Sequence, residues 1–155
     1  MNSRDFLIDT HAHIPPAQAL EGLSPEDAER RVTGAPHSIA EIVAHLDFWQ
    51  GWFRRRCEGI DEPPAAPAAV GWPAPDSWPR LRERFLSGVE EVAALGASGQ
   101  DRPLSPPIQF PPLARYTVGD ALVHVASHNA HHLGQIILLR QILGRWPPPS
   151  GSFTW

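Results

Sequence analysis

The stretch from Thr117 to Leu143, TVGDALVHVASHNAHHLGQIILLRQIL, decides how this chain is read. Thr117 can cap a helix, and Asp120 places a carboxylate in the first turn behind it. At about 100° per residue, Ala121, Val125, Ile136, Leu139 and Leu143 share one sector, so the spacing predicts one long helix with an apolar side. His124, His128, His132 and Gln135 fall inside that sector. A polar side chain in a core-facing stripe needs a partner, because a buried unsatisfied group costs about 1–3 kcal/mol. His128 and His132 stand at i and i+4, so they project from successive turns, a spacing at which two imidazoles can share one metal ion. The column equally reads as a buried polar ladder, His124–His128–His132–Gln135, closed by hydrogen bonds. His124 has the same spacing to His128 and is an alternative partner for it, whereas His131 points to the flank.

Upstream, Ser38-Ile39-Ala40-Glu41 is a capping box. The helix it opens carries Ile39, Ile42, Val43, Leu46, Trp49 and Phe53 as its core stripe up to about Cys57. His45 lies at the edge of that stripe, between Trp49 and Trp52. Another helix opens at Asp76 or Ser77, tolerates Pro79 in its first turn, and lines Trp78, Leu81, Phe85, Val89 and Val92 along one face before Gly96. It has no histidine and reads as scaffold. Near the N-terminus, Ile14, Ala17 and Leu20, with Leu7, suggest a first helix ending near Gly22, which Pro15 and Pro16 either start or kink. His11 and His13 lie near its beginning, facing a pocket or solvent. Ser24-Pro25-Glu26-Asp27 then starts a short helical turn that Thr33-Gly34-Ala35-Pro36 ends. Asp9-Thr10-His11-Ala12-His13 resembles the H-x-H of metal-dependent amidohydrolases, but the chain is too short for their barrel of about 250 residues.

Eighteen prolines cluster at 63–79, 103–112 and 147–149, where no helix can continue. The Pro/Ala loop 59–75 is too long for a plain connector and can wall a pocket. A second such loop, 102–115, leads into the histidine helix, and the tail after Trp146 should lie across the surface. With no strand pattern, the expected architecture is all-α: a four-helix bundle with long Pro-rich loops, one domain over residues 1–155. A net charge of −4 gives no reason to expect nucleic acid or an anionic membrane surface. No apolar run approaches the roughly 20 residues of a membrane span, and the first residues lack a signal-peptide core, so the cytoplasm is the expected location. Cys57 is the lone cysteine, which excludes an intramolecular disulfide and fits a reducing compartment. Among Arg54, Arg55 and Arg56 it reads as a bystander.

If His45 joins His128 and His132, three nitrogen ligands leave a fourth position open, as in a catalytic metal site. Zinc or nickel suits imidazoles; calcium and magnesium want oxygens. Asn129 stands where an H-E-x-x-H protease has its base, and no helix carries the Glu-x-x-His pairs of di-metal bundles. The chemistry left is activation of a nucleophile, water or a thiol. Trp49 and Trp52, with Trp72, supply aromatic walls, and His124 and Gln135 are expected to face the same pocket.

The combination Ser38-Ile39-x-Glu41-x-x-x-His45-Leu46 with His124-Val125-x-x-His128-Asn129-x-x-His132-Leu133-Gly134-Gln135 resembles the DinB/YfiT-like family. The likeness extends to helix order, to Leu138-Leu139-Arg140 and to the terminal Trp155. It implies a four-helix bundle, often a homodimer, with one divalent metal on three histidines, carried here onto His45, His128 and His132. Some members transfer or isomerise through low-molecular-weight thiols such as bacillithiol, mycothiol or glutathione. The family motif often has arginine where this chain has Leu133, which removes an anionic contact there but not the metal site. A metal-dependent thiol S-transferase acting on a small molecule is therefore the first expectation. A hydrolase that activates water, and a non-catalytic stress-related metal- or ligand-binding bundle, are the alternatives.

Overall fold

The structure is a computed structural model that describes residues 7–8, 13–66 and 68–152. Its elements are all helical: α1 (Pro16–Ala19), α2 (Pro25–Glu29), α3 (Ile39–Cys57), α4 (Trp78–Leu95) and α5 (Val118–Ile142), with 3-10 turns at Ala68–Gly71 and Pro111–Leu113. Among the described residues the extended pairing is confined to one bridge between Pro103 and Thr117. No described helix is long and apolar enough to cross a membrane.

The three long helices begin and end on the local signals in the sequence. Ser38 and Glu41 exchange both hydrogen bonds of a capping box at the start of α3, and Thr117 and Asp120 do the same for α5. α4 runs from Trp78 to a C-cap at Gly96, and Trp78, Leu81, Phe85, Val89 and Val92 are all buried. α3 packs against both α4 and α5 and forms the middle of the core. Its contact with α4 is close at Gly88, where a Cβ would stand 2.6 Å from Gln50 Nε2. That approach lets the Gln50 amide donate to Phe85 O at 2.8 Å.

Two details depart from the periodicity. Trp52 is the fully buried tryptophan of α3, its indole N–H donating to Pro63 O at 3.1 Å, while Trp49 is half-buried. The Pro-rich loop folds back over that side of the helix and covers it. Near the N-terminus the proline pair starts the helix instead of kinking it. Pro15 is the N-cap and Pro16 the first helical residue, where its missing N–H costs nothing. α1 is then only four residues long, so three long helices carry the core among the described residues. Leu7, Ile14, Ala19 and Leu20 are buried there, and Ala17, placed on the stripe by its spacing, is exposed. α2 is capped by Ser24, which accepts from Asp27 N–H, and it already ends at Glu29.

Arginines tie the irregular segments to the helices, Arg56 and Arg140 from buried positions. Arg56 donates to Ile60 O and Pro106 O and pairs with Asp61 at 2.9 Å, while Arg102 donates to Cys57 O. Arg140, on the last turn of α5, is 2% exposed and forms no ion pair among the described residues. Its guanidinium donates to Ala19 O, to Glu21 O at 2.8 Å and to Arg145 O at 3.0 Å, and it lies 5.5 Å from the Trp146 ring centroid. The tail beyond it crosses onto α1, with Ser150 bonded to Glu21 and Gln18 donating to Gly151 O. One side chain thus clamps the N-terminal segment to the end of α5. Arg140→Ala would strand three carbonyls and is expected to destabilise by roughly 3 kcal/mol or more. Urea unfolding measures this, with exposed Arg30→Ala as a control expected within about 0.5 kcal/mol of the parent.

Candidate metal centre

His45 projects from the middle of α3, and His128 and His132 project from successive turns of α5. Helix packing brings one ring nitrogen of each within 4.8 Å of the others. His45 Nε2 and His128 Nε2 are 3.2 Å apart. Two ligands on a tetrahedral ion with bonds of about 2.0–2.1 Å would be separated by roughly 3.3 Å. The cluster contains no carboxylate.

Hydrogen bonds on the far side of two rings set which nitrogen is free. His45 Nδ1–H donates to Gly71 O at 2.6 Å, and His132 Nδ1–H donates to Gln135 Oε1 at 2.7 Å. Both partners can only accept, so each neutral ring turns an Nε2 lone pair toward the centre. Burial holds all three rings neutral. It is the first cause lowering the pKa of each, and His128, with His132 and His45 beside it, is pushed down to about 3. Neutral imidazoles with convergent lone pairs are the donor set that zinc or nickel prefers and that calcium and magnesium do not.

The Pro-rich loop supplies the remaining wall. A Cβ on Gly71 would stand 2.6 Å from Trp49 Nε1, so only glycine lets the loop approach closely enough to offer its carbonyl to His45. Trp72 then stacks on His45, with centroids 3.9 Å apart and planes 11° from parallel, and its other face stacks on His37 at 3.7 Å. Two cavities that share no lining residue reach the cluster. One, of about 360 Å³, is bounded by Trp49, Trp52, Phe53, Phe110, His124 and His128. The other, of about 610 Å³, is bounded by His37, Trp72, His132, Gln135 and Leu138 with the segment 32–36.

The expected pocket is therefore divided. Trp49, Trp52 and His124 line the first cavity with His128, while Gln135 lies in the second beside His132, its side chain spent on orienting that ring. Gln135 also links His132 to the flanking His131. His124 stays outside the cluster and bonds to Tyr116 Oη at 3.0 Å. Asn129, where a protease would need its base, is buried and leaves the site to its neighbour. Leu133 is likewise buried in the core. Cys57 is buried, and desolvation pushes its thiol up to about 11, as a bystander requires. His13 bonds to Ile14 O, apart from the cluster, and His11 and Trp155 lie outside the described residues. The Gly71 carbonyl, His37 and Tyr116 also belong to the surroundings of the site, and no spacing or motif in the sequence marks His37 or Tyr116. A glycine beside a tryptophan in a Pro/Ala loop was the one local sign of the first.

Residues 17–136, which include all three histidines, match the DinB superfamily. The chain belongs to that superfamily. No curated protein matches it. For this DinB protein the family assignment and the three-histidine cluster agree: His45, His128 and His132 could hold a divalent ion.

Two outcomes follow for the cluster. The folded pKa values of these histidines lie below the roughly 6.5 of an unfolded chain, so below that pH the unfolded state binds more protons. The stability of the metal-free protein should be complete above about pH 6.5 and fall as the pH drops toward 4.5 and below. Urea unfolding across that window checks it, and His128→Phe should flatten the slope; an unchanged slope would contradict the assignment. Gln135→Leu, which frees the His132 ring, should weaken zinc binding by about 10–100-fold while leaving the helical circular dichroism intact. Competition with a chromogenic chelator reads that loss.

Proposed function

We propose that His45, His128 and His132 hold one zinc or nickel ion and that the protein is a metal-dependent transferase using a low-molecular-weight thiol. The observation that carries this reading is the meeting of two separate cavities at one nitrogen cluster, His128 facing the first and His132 the second. Group transfer between two organic molecules needs both held together in a reactive pose, which can supply several kcal/mol of a barrier. A hydrolase needs one such site and water. A divalent ion held by the three rings would supply Lewis acidity, favouring the ionised form of a thiol that took the open position.

The chain's own residues provide the rest. Gly71 and Gln135 keep the two rings in register, and Trp72 shields one side of the cluster from solvent. The aromatic cavity holds the electrophile beside His128. In the transfer, the thiol sulfur forms a bond to an electrophilic carbon as that carbon's bond to its leaving group breaks. The leaving group takes the bonding pair and the thiol proton passes to solvent. The fold around this site is read as the four-helix bundle of the family, and a thiol co-substrate suits a reducing, cytoplasmic setting for the lone Cys57.

The test begins with elemental analysis of protein purified without an affinity tag, where about one equivalent of zinc or nickel is expected. The metal-loaded protein is then incubated with 1-chloro-2,4-dinitrobenzene and, in turn, bacillithiol, mycothiol and glutathione. Turnover with at least one thiol, lost by 100-fold or more on chelation or in His45→Ala, is the expected result. Absence of metal-dependent turnover with every thiol overturns the reading. Thiol-independent cleavage of 4-nitrophenyl acetate would replace it with the hydrolase.

A further inference from the structure

The cavity beside His128 has a chemical character of its own. None of its lining residues is Asp, Glu, Lys or Arg, and half of them, Trp49, Trp52, Phe53, Phe110, Leu113 and Val125, are large apolar side chains. An anion there would meet the negative faces of aromatic rings and no cationic Lys or Arg side chain. At about 360 Å³ the space lies at the small end of ligand pockets, which run from roughly 300 to 1,000 Å³, and suits a monocyclic molecule.

The donors on this wall are mostly committed. The Trp52 indole N–H is bonded to Pro63 O, the Gln50 amide donates to Phe85 O, and the Trp49 indole nitrogen is packed against Gly71. His124 differs. Its ring packs on Phe53 with centroids 4.6 Å apart, and its Nδ1 lies 3.0 Å from Tyr116 Oη. The Tyr116 hydroxyl and Nδ1 can bond in either sense; when the hydroxyl donates, the neutral ring carries its hydrogen on Nε2, and that nitrogen makes no bond within the described protein. This is the reverse of His45 and His132, whose Nδ1–H groups are spent on Gly71 and Gln135 so that Nε2 can accept. Two of the cluster histidines face inward as lone pairs, and the histidine one turn away lines the neighbouring cavity.

We infer that this cavity binds a compact, largely apolar molecule without negative charge that carries one hydrogen-bond acceptor, and that His124, with the Tyr116 hydroxyl donating to its Nδ1, donates Nε2–H to that acceptor. His124 is thus a substrate-binding residue, and Tyr116 is a positioning residue acting through it. The inference rests on the transferase reading for the fate of the bound molecule, as its electrophile, but not for the binding itself.

Binding is therefore measured on metal-free protein, by tryptophan fluorescence and by calorimetry, with probes of one size. Acetophenone has the acceptor, isopropylbenzene is its near-isostere without one, and benzoate carries a negative charge. Acetophenone should bind about fivefold or more tighter than isopropylbenzene, the worth of one neutral hydrogen bond. Benzoate should bind at least about tenfold more weakly than acetophenone. His124→Phe should bring the acetophenone-to-isopropylbenzene ratio to near one, His124→Gln, which keeps an N–H, should restore part of it, and Tyr116→Phe should lower it. Leu113→Trp, which fills the space, should abolish binding of all three.

Equal or tighter binding of benzoate, a ratio unchanged in His124→Phe, or no binding of the neutral probes would overturn the inference. Binding as described without thiol transfer would remove the transferase reading alone. Thiol transfer without this binding pattern would remove the inference alone.

Discussion

Packing three imidazoles into one seam between α3 and α5 imposes a condition that the surrounding residues answer. Each ring is too buried to charge, so each carries one N–H and one lone pair, and both must be accommodated. Gly71 O and Gln135 Oε1 take the N–H groups of His45 and His132, which drives their lone pairs into the same small volume. A proton on His128 Nε2 could bridge the 3.2 Å to His45 but would leave the His132 lone pair to another donor. A divalent cation would answer all three at once, and the three rings could hold one.

Much of the irregular chain is explained by holding that condition in place. The loop 59–75 is rich in Pro and Ala, residues whose side chains add no donors and little bulk, and at Gly71 it discards the side chain altogether. It can therefore press its backbone against Trp49 and stack Trp72 on His45. Arg56 fixes the start of that loop and reaches across to the second Pro-rich loop, which in turn delivers Phe110, Leu113 and Tyr116 to the neighbouring cavity. These contacts use buried guanidinium groups satisfied largely by carbonyls, a costly device that would not be chosen for packing alone.

The features legible in the sequence were those fixed by neighbours a few residues away. The capping boxes at Ser38 and Thr117, the face of α4 from Trp78 to Val92 and the i, i+4 spacing of His128 and His132 are local, and all reappear in the structure. His45 was legible as the third ligand through the family resemblance, since a lone histidine at the edge of an apolar stripe is more often a hydrogen-bonded core residue. What escaped the sequence was set by distant contacts. Trp52 rather than Trp49 is sealed because a loop covers it, and the Gly71 carbonyl meets a histidine 26 positions earlier. Gln135 illustrates the limit of a helical projection. Three residues beyond His132 it shares that ring's face, but it sits toward the helix C-terminus, where a different cavity opens.

The source of a nucleophile is a last constraint on the chemistry. Cys57 is the chain's one thiol, and it is sealed in the core with its pKa raised to about 11, so it neither ionises near neutral pH nor reaches the cluster. No carboxylate joins the three histidines, and Asn129, adjacent to one of them, is turned into the core beside Ala126 and Leu133. A reaction at this site would have to take its nucleophile from solution. Water needs no dedicated cavity, whereas a thiol large enough to be distinguished from others does. The separate opening beside His132 and Gln135, distinct from the aromatic one beside His128, supports the second of these. Two reactants entering by two routes would meet where the lone pairs converge, and the residues that keep those lone pairs converged are Gly71 and Gln135, neither of them a ligand.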